Sequence, residues 1–322
     1  MTKLIIQIPC YNEEQTLGIA LAELPSQIDG IDVIERLIIN DGSTDDTVQV
    51  AREHGVEHIV DFPRNLGLAK GFMAGLHAAL AAGADIVVNT DADNQYNGAD
   101  IAKLIAPVLE KRAEIVVGAR PISNIEHFSP LKKWLQKLGS WVVRTTSGTD
   151  IADAPSGFRA ISRDAALRLN VFSEYTYTHE TIIQAGQKGM IIISVPVRVN
   201  EDLRPSRLAK SMGSYVIRSL VTIFRIFIVY RPLRFFLWLG TMPLALGIVL
   251  GVRWLILFAY FLEPGRTHVP SLILAAILIL AGFQLWMFGF LADLVAVNRL
   301  LLEDLQYKAR KDSLSSKFTD QS

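Results

Sequence analysis

Two long apolar stretches near the end of this 322-residue chain constrain its fold more than any other feature. They cover residues 235–261 and 271–297, and each exceeds the roughly 20 residues that a helix needs to cross a hydrocarbon core of about 30 Å. Core helices of soluble proteins are seldom so long and so apolar on every side. The stretches therefore predict a transmembrane two-helix hairpin over residues 235–311, followed by a polar tail over 312–322.

Basic residues flank the hairpin and predict its orientation. Arg231 and Arg234 precede the first stretch, Arg299 and three further basic residues follow the second, and the connecting loop holds only Arg266. The positive-inside rule therefore places both ends of the hairpin in the cytoplasm. The single cysteine, Cys10, excludes an intrachain disulfide, which suits a cytoplasmic domain.

Residues 211–234 join the hairpin to the rest of the chain. Ser211, Arg218, Thr222 and Arg225 recur at helical spacing along one side of an otherwise apolar stretch. This pattern predicts an amphipathic helix that lies in the cytoplasmic headgroup layer. A core helix of the soluble domain is the alternative interpretation.

The first 210 residues alternate between short apolar runs and helical patterns, which predicts an α/β domain with a doubly wound, mostly parallel sheet. The predicted strands cover residues 4–8, 36–39, 58–61, 85–89, 114–118 and 190–199. The predicted helices cover 13–24, 44–54, 67–82, 99–111 and 180–188, with a basic helical region over 121–146 and a loop over 153–159. Ligands of such sheets bind beyond the carboxyl ends of the strands.

Polar motifs stand at three of these strand ends. Asp91 and Asp93 follow the fourth strand, with Gln95 two residues further on, and oxygen ligands in this arrangement suit Mg²⁺ or Mn²⁺ bridged to a diphosphate. Tyr11 and Asp41 follow the first two strands, where a flat ring and a carboxylate acceptor could hold a nucleoside. Capping and turn formation are the alternative for each motif.

Six short motifs occur in a fixed order before residue 209. They are Pro9-Cys10-Tyr11-Asn12-Glu13, Asn40-Asp41-Gly42-Ser43, Asp91-Ala92-Asp93, Gly118-Ala119-Arg120, Ser156-Gly157-Phe158-Arg159 and Arg204-Pro205-Ser206-Arg207-Leu208. In this order they resemble glycosyltransferase family 2, and more narrowly its dolichyl-phosphate-mannose-synthase-like polyprenyl-phosphate glycosyltransferases. The apolar tail resembles that of bacterial members with two C-terminal spans.

The resemblance implies a GT-A fold, a nucleoside diphosphate sugar donor, a polyprenyl phosphate acceptor and inversion at the anomeric carbon. It places the donor on Pro9, Tyr11, Glu13, Asp41, Asp91 and Asp93, the metal on Asp91, Asp93 and Gln95, and the acceptor phosphate on Lys133, Lys137, Arg204, Ser206 and Arg207. The expected catalytic residues are Asp93, Arg120 and Asp153. Asp153 is expected to orient a basic residue or the sugar, and Glu180 is a further candidate carboxylate for the same role. Lysine at position 133 and arginine at 207 depart from the usual family choices but keep the charge.

The chemistry of such an acceptor agrees with these residues. A phosphate monoester is ionised at neutral pH and needs no strong general base, so a metal and Arg/Lys side chains mainly bring two anions together. We expect an integral protein of a bacterial inner membrane, with a cytoplasmic catalytic domain, a homo-oligomeric state and no nucleic-acid partner. UDP is favoured over GDP, and the sugar is left open.

Two rival functions fit the sequence less well. A processive polysaccharide synthase usually carries a Gln-x-x-Arg-Trp motif at the membrane entrance, whereas Arg253-Trp254 lies inside a predicted span without that glutamine. A non-catalytic scaffold that binds nucleotide sugars would be favoured by loss of a metal carboxylate or of the basic cluster, and both are present. The sequence therefore predicts an enzyme.

Overall fold

The computed structural model describes residues 1–121, 143–144, 147–171, 177–200, 221, 225, 228–260 and 269–319. The chain divides into two units. The first unit comprises Met1–Leu220 together with Glu303–Ser322, and the second comprises Val221–Leu302.

Strands and helices alternate through the described part of the first unit. The strands are β1 (Lys3–Cys10), β2 (Val33–Asn40), β3 (His58–Asp61), β4 (Ile86–Asn89), β5 (Ile115–Ala119), β6 (Arg159–Ser162) and β7 (Ile192–Pro196). The helices are α1 (Leu17–Ala22), α2 (Thr47–Glu53), α3 (Leu68–Ala81), α4 (Ile101–Leu109), α5 (Arg163–Arg168) and α6 (Thr178–Gln187), with a short 3₁₀ turn at Gly98–Asp100. The first helix is shorter than predicted, because residues 13–16 form a turn before it.

The strands form one sheet in the order β3-β2-β1-β4-β6-β5-β7. β1 pairs in parallel with β2 and β4, β2 pairs in parallel with β3, and β5 pairs in parallel with β7. The predicted α/β class with a mostly parallel sheet is therefore confirmed.

β6 runs antiparallel to both of its neighbours, β4 and β5. The sequence pattern predicts a loop over residues 153–159, and neither β6 nor α5 after it. β6 has four residues and begins with the fully buried Arg159, so it carries no apolar run of its own. Its strand conformation comes from pairing with residues that are distant in sequence, which a local pattern does not record.

β1 is buried on both faces because helices cover both sides of the sheet. Leu4, Ile6 and Ile8 join a cluster with residues of α4, whereas Ile5 lies on the other face in a cluster with Phe72 of α3. Successive side chains of a strand point to opposite faces, so a strand covered on both sides needs a nearly continuous apolar run. The first strand is therefore a nearly continuous apolar run in the sequence.

The second unit contains two long apolar helices, α7 (Pro232–Tyr260) and the first part of α8 (Val269–Thr319). Both are long and apolar enough to cross a membrane, and few residues of their most apolar windows are buried. A Cβ added at Gly240 would lie 2.7 Å from the carbonyl oxygen of Gly282, so glycine is required for this close backbone approach. The indole of Trp286 donates to the carbonyl of Leu237 at 3.2 Å.

The last part of α8 belongs to the first unit. The Tyr307 hydroxyl donates to Asp164 at 2.8 Å, and the Arg310 guanidinium donates to the carbonyl of Leu169 at 3.1 Å and to Asn170 Oδ1 at 2.7 Å. α8 continues to Thr319, through most of the predicted polar tail. These contacts join the end of the chain to the region around α5.

Candidate active site

Three of the sequence motifs follow strands that end at one edge of the sheet. β1, β2 and β4 are adjacent and parallel, with Cys10 in register with Asn40 and Gln7 in register with Asn89. Because the carboxyl ends of these strands meet at the same edge, the polar residues that follow them form one candidate site.

The first two motifs are hydrogen-bonded to each other. The backbone N–H of Asn12 donates to Ser43 Oγ at 2.9 Å, and Asn12 Oδ1 accepts from the backbone N–H of Thr44 at 2.8 Å. The backbone N–H of Glu13 donates to Thr47 Oγ1 at 2.8 Å. Asn12 has a φ of 56°, a left-handed conformation that asparagine tolerates better than most residues. The loops after β1 and β2 are therefore held together.

The three predicted donor residues of the first motif differ in exposure. Pro9 lies in β1, Tyr11 is 43% exposed, and Glu13 is buried with its carboxylate accepting from Thr16 Oγ1 at 2.8 Å. The exposed Tyr11 ring has the accessibility that stacking on a nucleobase requires. Their donor-binding roles stay predictions.

Asp41 is buried and holds the loop before α3. Its two carboxylate oxygens accept from the backbone N–H groups of Leu66 at 2.6 Å and Gly67 at 3.0 Å. A Cβ added at the neighbouring Gly42 would lie 2.3 Å from the carbonyl carbon of Arg64. Each oxygen keeps a lone pair, so the predicted contact with a nucleoside is compatible with this structural role.

Asp91 and Asp93 lie on the turn that follows β4, which we call the aspartate turn (residues 90–97). Asp93 Oδ1 accepts from the backbone N–H of Gln95 at 3.2 Å, and Asn94 has a φ of 57°. Burial, and then the charge of Asp93, raise the pKa of Asp91 to about 7. Two carboxylates in this relation are stabilised by a cation, so their chemistry fits the predicted Mg²⁺ or Mn²⁺.

The third predicted metal ligand has another partner. Gln95 Oε1 accepts from Arg120 Nη1 at 3.4 Å. Among the residues that the structure describes, no group of three or more His, Cys, Asp or Glu side chains could hold a metal. Asp91 and Asp93 would therefore share a metal with oxygens of the diphosphate and of water, as Mg²⁺ sites on phosphates usually do.

Arg120 and Asp153 form a buried ion pair next to the aspartate turn. Arg120 Nε donates to Asp153 Oδ2 at 2.7 Å and Nη2 donates to Oδ1 at 3.1 Å, a bidentate geometry. The Asp153 side chain is fully buried, whereas that of Arg120 is 20% exposed. Burial alone would lower the pKa of Arg120, but the hydrogen bonds to Asp153 outweigh it and raise the pKa. Asp153 therefore fixes the Arg120 guanidinium, and the catalytic roles of both residues stay predictions.

Gly157 packs directly against the aspartate pair. A Cβ at this position would lie 2.9 Å from Tyr177 Oη and 3.0 Å from Asp91 Oδ1. The Gly157 N–H donates to Tyr96 Oη at 3.3 Å. Only a residue without a side chain leaves Asp91 and Tyr177 in these positions.

A buried polar network behind Asp91 was not predicted from the sequence. Asn89 Nδ2 donates to the carbonyl of Gly157 and to Tyr177 Oη, both at 2.9 Å, and Asn89 Oδ1 accepts from Gln7 Nε2 at 2.9 Å. The Tyr177 ring stacks on Phe72 with centroids 3.9 Å apart. The available signal was a single amide in each of two apolar strands, because buried polar groups need partners.

Arg159, the last residue of the Ser-Gly-Phe-Arg motif, has a structural position. Its fully buried guanidinium donates to the carbonyls of Ser156 and Ala154, both at 2.9 Å, and to Thr181 Oγ1. Burial lowers the pKa of Arg159 to about 10, so it is a cation at neutral pH. Arg159 fixes the loop that contains Gly157 and Asp153.

The predicted acceptor residues lie outside the described residues. They are Lys133, Lys137, Arg204, Ser206 and Arg207. The predicted interfacial helix over 211–234 lies outside as well, apart from residues 221, 225 and 228–234. Glu180, a further candidate carboxylate, is buried in α6.

A comparison with family models decides the class of this site. Residues 5–172, more than half of the chain, match the family described as Glycosyl transferase family 2. This chain belongs to glycosyl transferase family 2. The family assignment that the six motifs predict is therefore confirmed, and the enzyme is a glycosyltransferase.

Two curated relatives of this glycosyltransferase have names that state their acceptors. The UDP-N-acetylglucosamine–dolichyl-phosphate N-acetylglucosaminyltransferase of Methanococcus voltae is 33% identical over 217 residues, which cover 59% of this chain and 83% of that protein. The undecaprenyl-phosphate mannosyltransferase of Micrococcus luteus is 26% identical over 229 residues, which cover 68% of this chain and 91% of that protein.

A solved structure supports the fold. Glucosyl-3-phosphoglycerate synthase from Mycobacterium tuberculosis, in complex with phosphoglyceric acid, matches this glycosyltransferase with a TM-score of 0.54 and 21% identity. The match covers 69% of this chain and 80% of the other. At this identity the likeness shows the fold alone, and it confirms the predicted GT-A architecture.

Proposed function

We propose that this glycosyltransferase transfers a hexose from a UDP-sugar to a polyprenyl phosphate at the cytoplasmic face of a membrane, with inversion. One observation carries the proposal: the same chain combines a two-carboxylate turn at the strand ends with two long, exposed apolar helices. A water-soluble acceptor would not require such helices. The names of the two curated relatives support acceptors of this class.

The donor diphosphate would lie beside the aspartate turn. Asp91 and Asp93 would hold Mg²⁺ or Mn²⁺, which supplies positive charge to the departing diphosphate. Arg120 contacts Gln95 of this turn and is fixed by Asp153. Its guanidinium therefore adds a second, permanently positive group. Tyr11, Glu13 and Asp41 would hold the nucleoside, as predicted from the motifs.

The reaction needs one bond to form and one to break. An oxygen of the acceptor phosphate attacks the anomeric carbon from the face opposite the diphosphate, and the bond between that carbon and the diphosphate oxygen breaks with its electron pair. UDP leaves as an anion, and no proton transfer is required. The described residues accordingly supply charge and position.

The acceptor phosphate would meet Lys133, Lys137, Arg204, Ser206 and Arg207. The position of Arg204 in the sequence supports this role, because Arg204 follows Asn200 by four residues and the backbone N–H of Asn200 donates to the carbonyl of Gln95 in the aspartate turn at 2.9 Å. Four residues span at most about 14 Å, so Arg204 is tethered within that distance of Asn200.

The apolar helices would anchor the enzyme in a bacterial inner membrane, with the first unit in the cytoplasm. The positive charges at both ends of the hairpin support this orientation. A polyprenyl chain stays in the bilayer, so its phosphate is presented at the membrane surface. The anchor therefore keeps the enzyme where its acceptor is.

The full-length enzyme in detergent with undecaprenyl phosphate tests the proposal. Radiolabelled UDP-glucose, UDP-N-acetylglucosamine and GDP-mannose are supplied separately with Mg²⁺ or Mn²⁺, and label is followed into an organic-extractable lipid. We expect transfer from a UDP-sugar and none with Asp93→Asn. Transfer from GDP-mannose alone would refute the UDP assignment, and label that appears only in water-soluble products or in polymer would refute the acceptor.

A further inference from the structure

The chain after β7 runs alongside the aspartate turn. Tyr96 and Val199 form an antiparallel bridge, and the N–H of Asn97 donates to the carbonyl of Arg198 at 3.4 Å. With the bond from Asn200 to Gln95, residues 198–200 form a short paired segment. We call it the 198–200 segment.

The Asn200 side chain closes this pairing with three hydrogen bonds. Its Nδ2 donates to the carbonyl of Asn94 at 3.1 Å and to Glu23 Oε2 at 2.9 Å, and its Oδ1 accepts from Asn97 Nδ2 at 3.2 Å. Asn94 is the residue with the left-handed backbone, directly after Asp93. Such a conformation persists only when surrounding contacts hold it, and Asn200 provides one of them.

Arg198 anchors the segment through a buried carboxylate. The Asp100 side chain is fully buried and accepts from the Arg198 backbone N–H at 2.7 Å, from its Nε at 3.1 Å and from its Nη2 at 2.8 Å. Lys103 contacts the same carboxylate at 2.7 Å. A buried charge satisfied in this way fixes the segment relative to the 3₁₀ turn after the aspartate turn.

Further contacts constrain the aspartate turn. A Cβ added at Gly98 would lie 2.3 Å from the carbonyl oxygen of Glu23, so the turn packs against the end of α1. Gln95 binds Arg120 through its side chain and Asn200 through its carbonyl. The turn has little freedom to move without a movement of the 198–200 segment.

We propose that Asn200 is a positioning residue for the Asp91–Asp93 pair, with Arg198 as its anchor. The inference rests on the proposed function, in which this pair holds the metal and the donor diphosphate. Asn200 bonds the carbonyls of Asn94 and Gln95, the two residues that directly follow Asp93, and so holds the turn that presents both carboxylates. Weaker contacts at Asn200 should therefore weaken metal-dependent nucleotide binding while both aspartates stay in place.

Asn200→Asp is the informative variant because it preserves shape. It replaces the two donated hydrogen bonds with an oxygen that faces the Asn94 carbonyl and the Glu23 carboxylate. We measure the dissociation constants of UDP and of GDP, each with Mn²⁺, by calorimetry on the full-length protein in detergent. The expected change is a roughly tenfold weaker binding of the nucleotide that the wild type prefers, because loss of a group that supports metal ligands typically costs about 10–100-fold in metal affinity. Adding Glu23→Gln to Asn200→Asp returns a donor to this contact and should restore most of the affinity.

A second variant pair guards against loss of folding. Arg198→Lys weakens the bidentate contact with Asp100 and should weaken nucleotide binding severalfold. Arg36→Lys is the matched control, because Arg36 lies on β2, away from the site, and makes a bidentate pair with Glu57. It should leave the dissociation constant unchanged.

The outcomes separate the inference from the proposed function. If the wild type binds neither nucleotide, both fail. The inference alone fails if the wild type binds nucleotide and transfers sugar while Asn200→Asp and Arg198→Lys keep the wild-type dissociation constant. This holds even if the binding stoichiometry of a variant falls because part of it is unfolded.

Discussion

Gly157→Ala tests the packing of the active site with a single methyl group. The added Cβ would meet Tyr177 Oη at 2.9 Å and the two Asp91 carboxylate oxygens at 3.0 and 3.2 Å, all closer than an ordinary contact of 3.4 Å or more. Asp91 or Tyr177 must therefore move by several tenths of an ångström. Overpacking of this kind costs about 1–3 kcal/mol of folding free energy.

The effect on turnover should exceed the effect on stability. A displacement of about 1 Å in a catalytic group costs roughly 100-fold, so a shift of about half that size at Asp91 predicts a loss of roughly tenfold or more. Sugar transfer is measured at saturating donor over a range of Mn²⁺ concentrations, alongside the melting temperature. We expect lower turnover and a higher Mn²⁺ requirement, since Asp91 is one of the two proposed ligands.

Gly71→Ala is the matched control for this prediction. Gly71 lies in α3, and a Cβ there would make only ordinary contacts, the nearest at 3.7 Å. Alanine in a helix interior is about 0.5–1 kcal/mol more favourable than glycine, so this variant should be as active as the wild type and no less stable. Wild-type turnover and Mn²⁺ dependence in Gly157→Ala would refute the packing argument.

Three further predictions address the metal, acid stability and topology. Asp93→Asn should lower turnover at least about 100-fold, and chelation of divalent ions should abolish transfer, whereas full activity in a chelator would exclude a metal. Burial favours the neutral form of Asp100, but the hydrogen bonds from Arg198 and Lys103 outweigh it and lower the pKa of Asp100 to about 2. The ionised carboxylate therefore stabilises the fold above pH 4, and this stabilisation is lost as the pH falls towards 2. The loss should be at most about 2 kcal/mol, and Asp100→Asn should narrow the difference in melting temperature between pH 5 and pH 2.5. A C-terminal tag should be protected in sealed cells, and labelling from outside would show that the proposed orientation is wrong.

The parallel strands could be predicted because each of them contains a short apolar run. β3 matches its predicted bounds, and β1 lies within two residues of the prediction at each end. β6 could not be predicted, because its four residues become a strand only by pairing with β4 and β5. Local apolar runs report burial on both faces, whereas a short antiparallel insertion depends on contacts between distant residues.

The candidate site also contains residues that local sequence predicts and residues that it does not. Asp91, Asp93 and Arg120 stand out as charged residues just after strands, and Asp153 lies in a predicted loop. The structure brings Arg120 and Asp153 into contact. Asn200 could not be identified, because its significance lies in hydrogen bonds to residues about 100 positions or more away in the sequence. A single asparagine in a polar segment gives no signal of such contacts.

The contacts of Arg310 also bear on how the protein is made. The guanidinium meets Asn170, a residue synthesised 140 positions earlier, and the two apolar helices lie between them in the chain. At roughly 5–20 residues per second, a ribosome needs about 7–28 s to travel from one partner to the other. During that interval the surface around α5 lacks its final helix while the apolar segments emerge. The last contacts of the first unit can therefore form only after both apolar helices have been synthesised, so under the proposed topology these helices are available for insertion before the enzyme is complete.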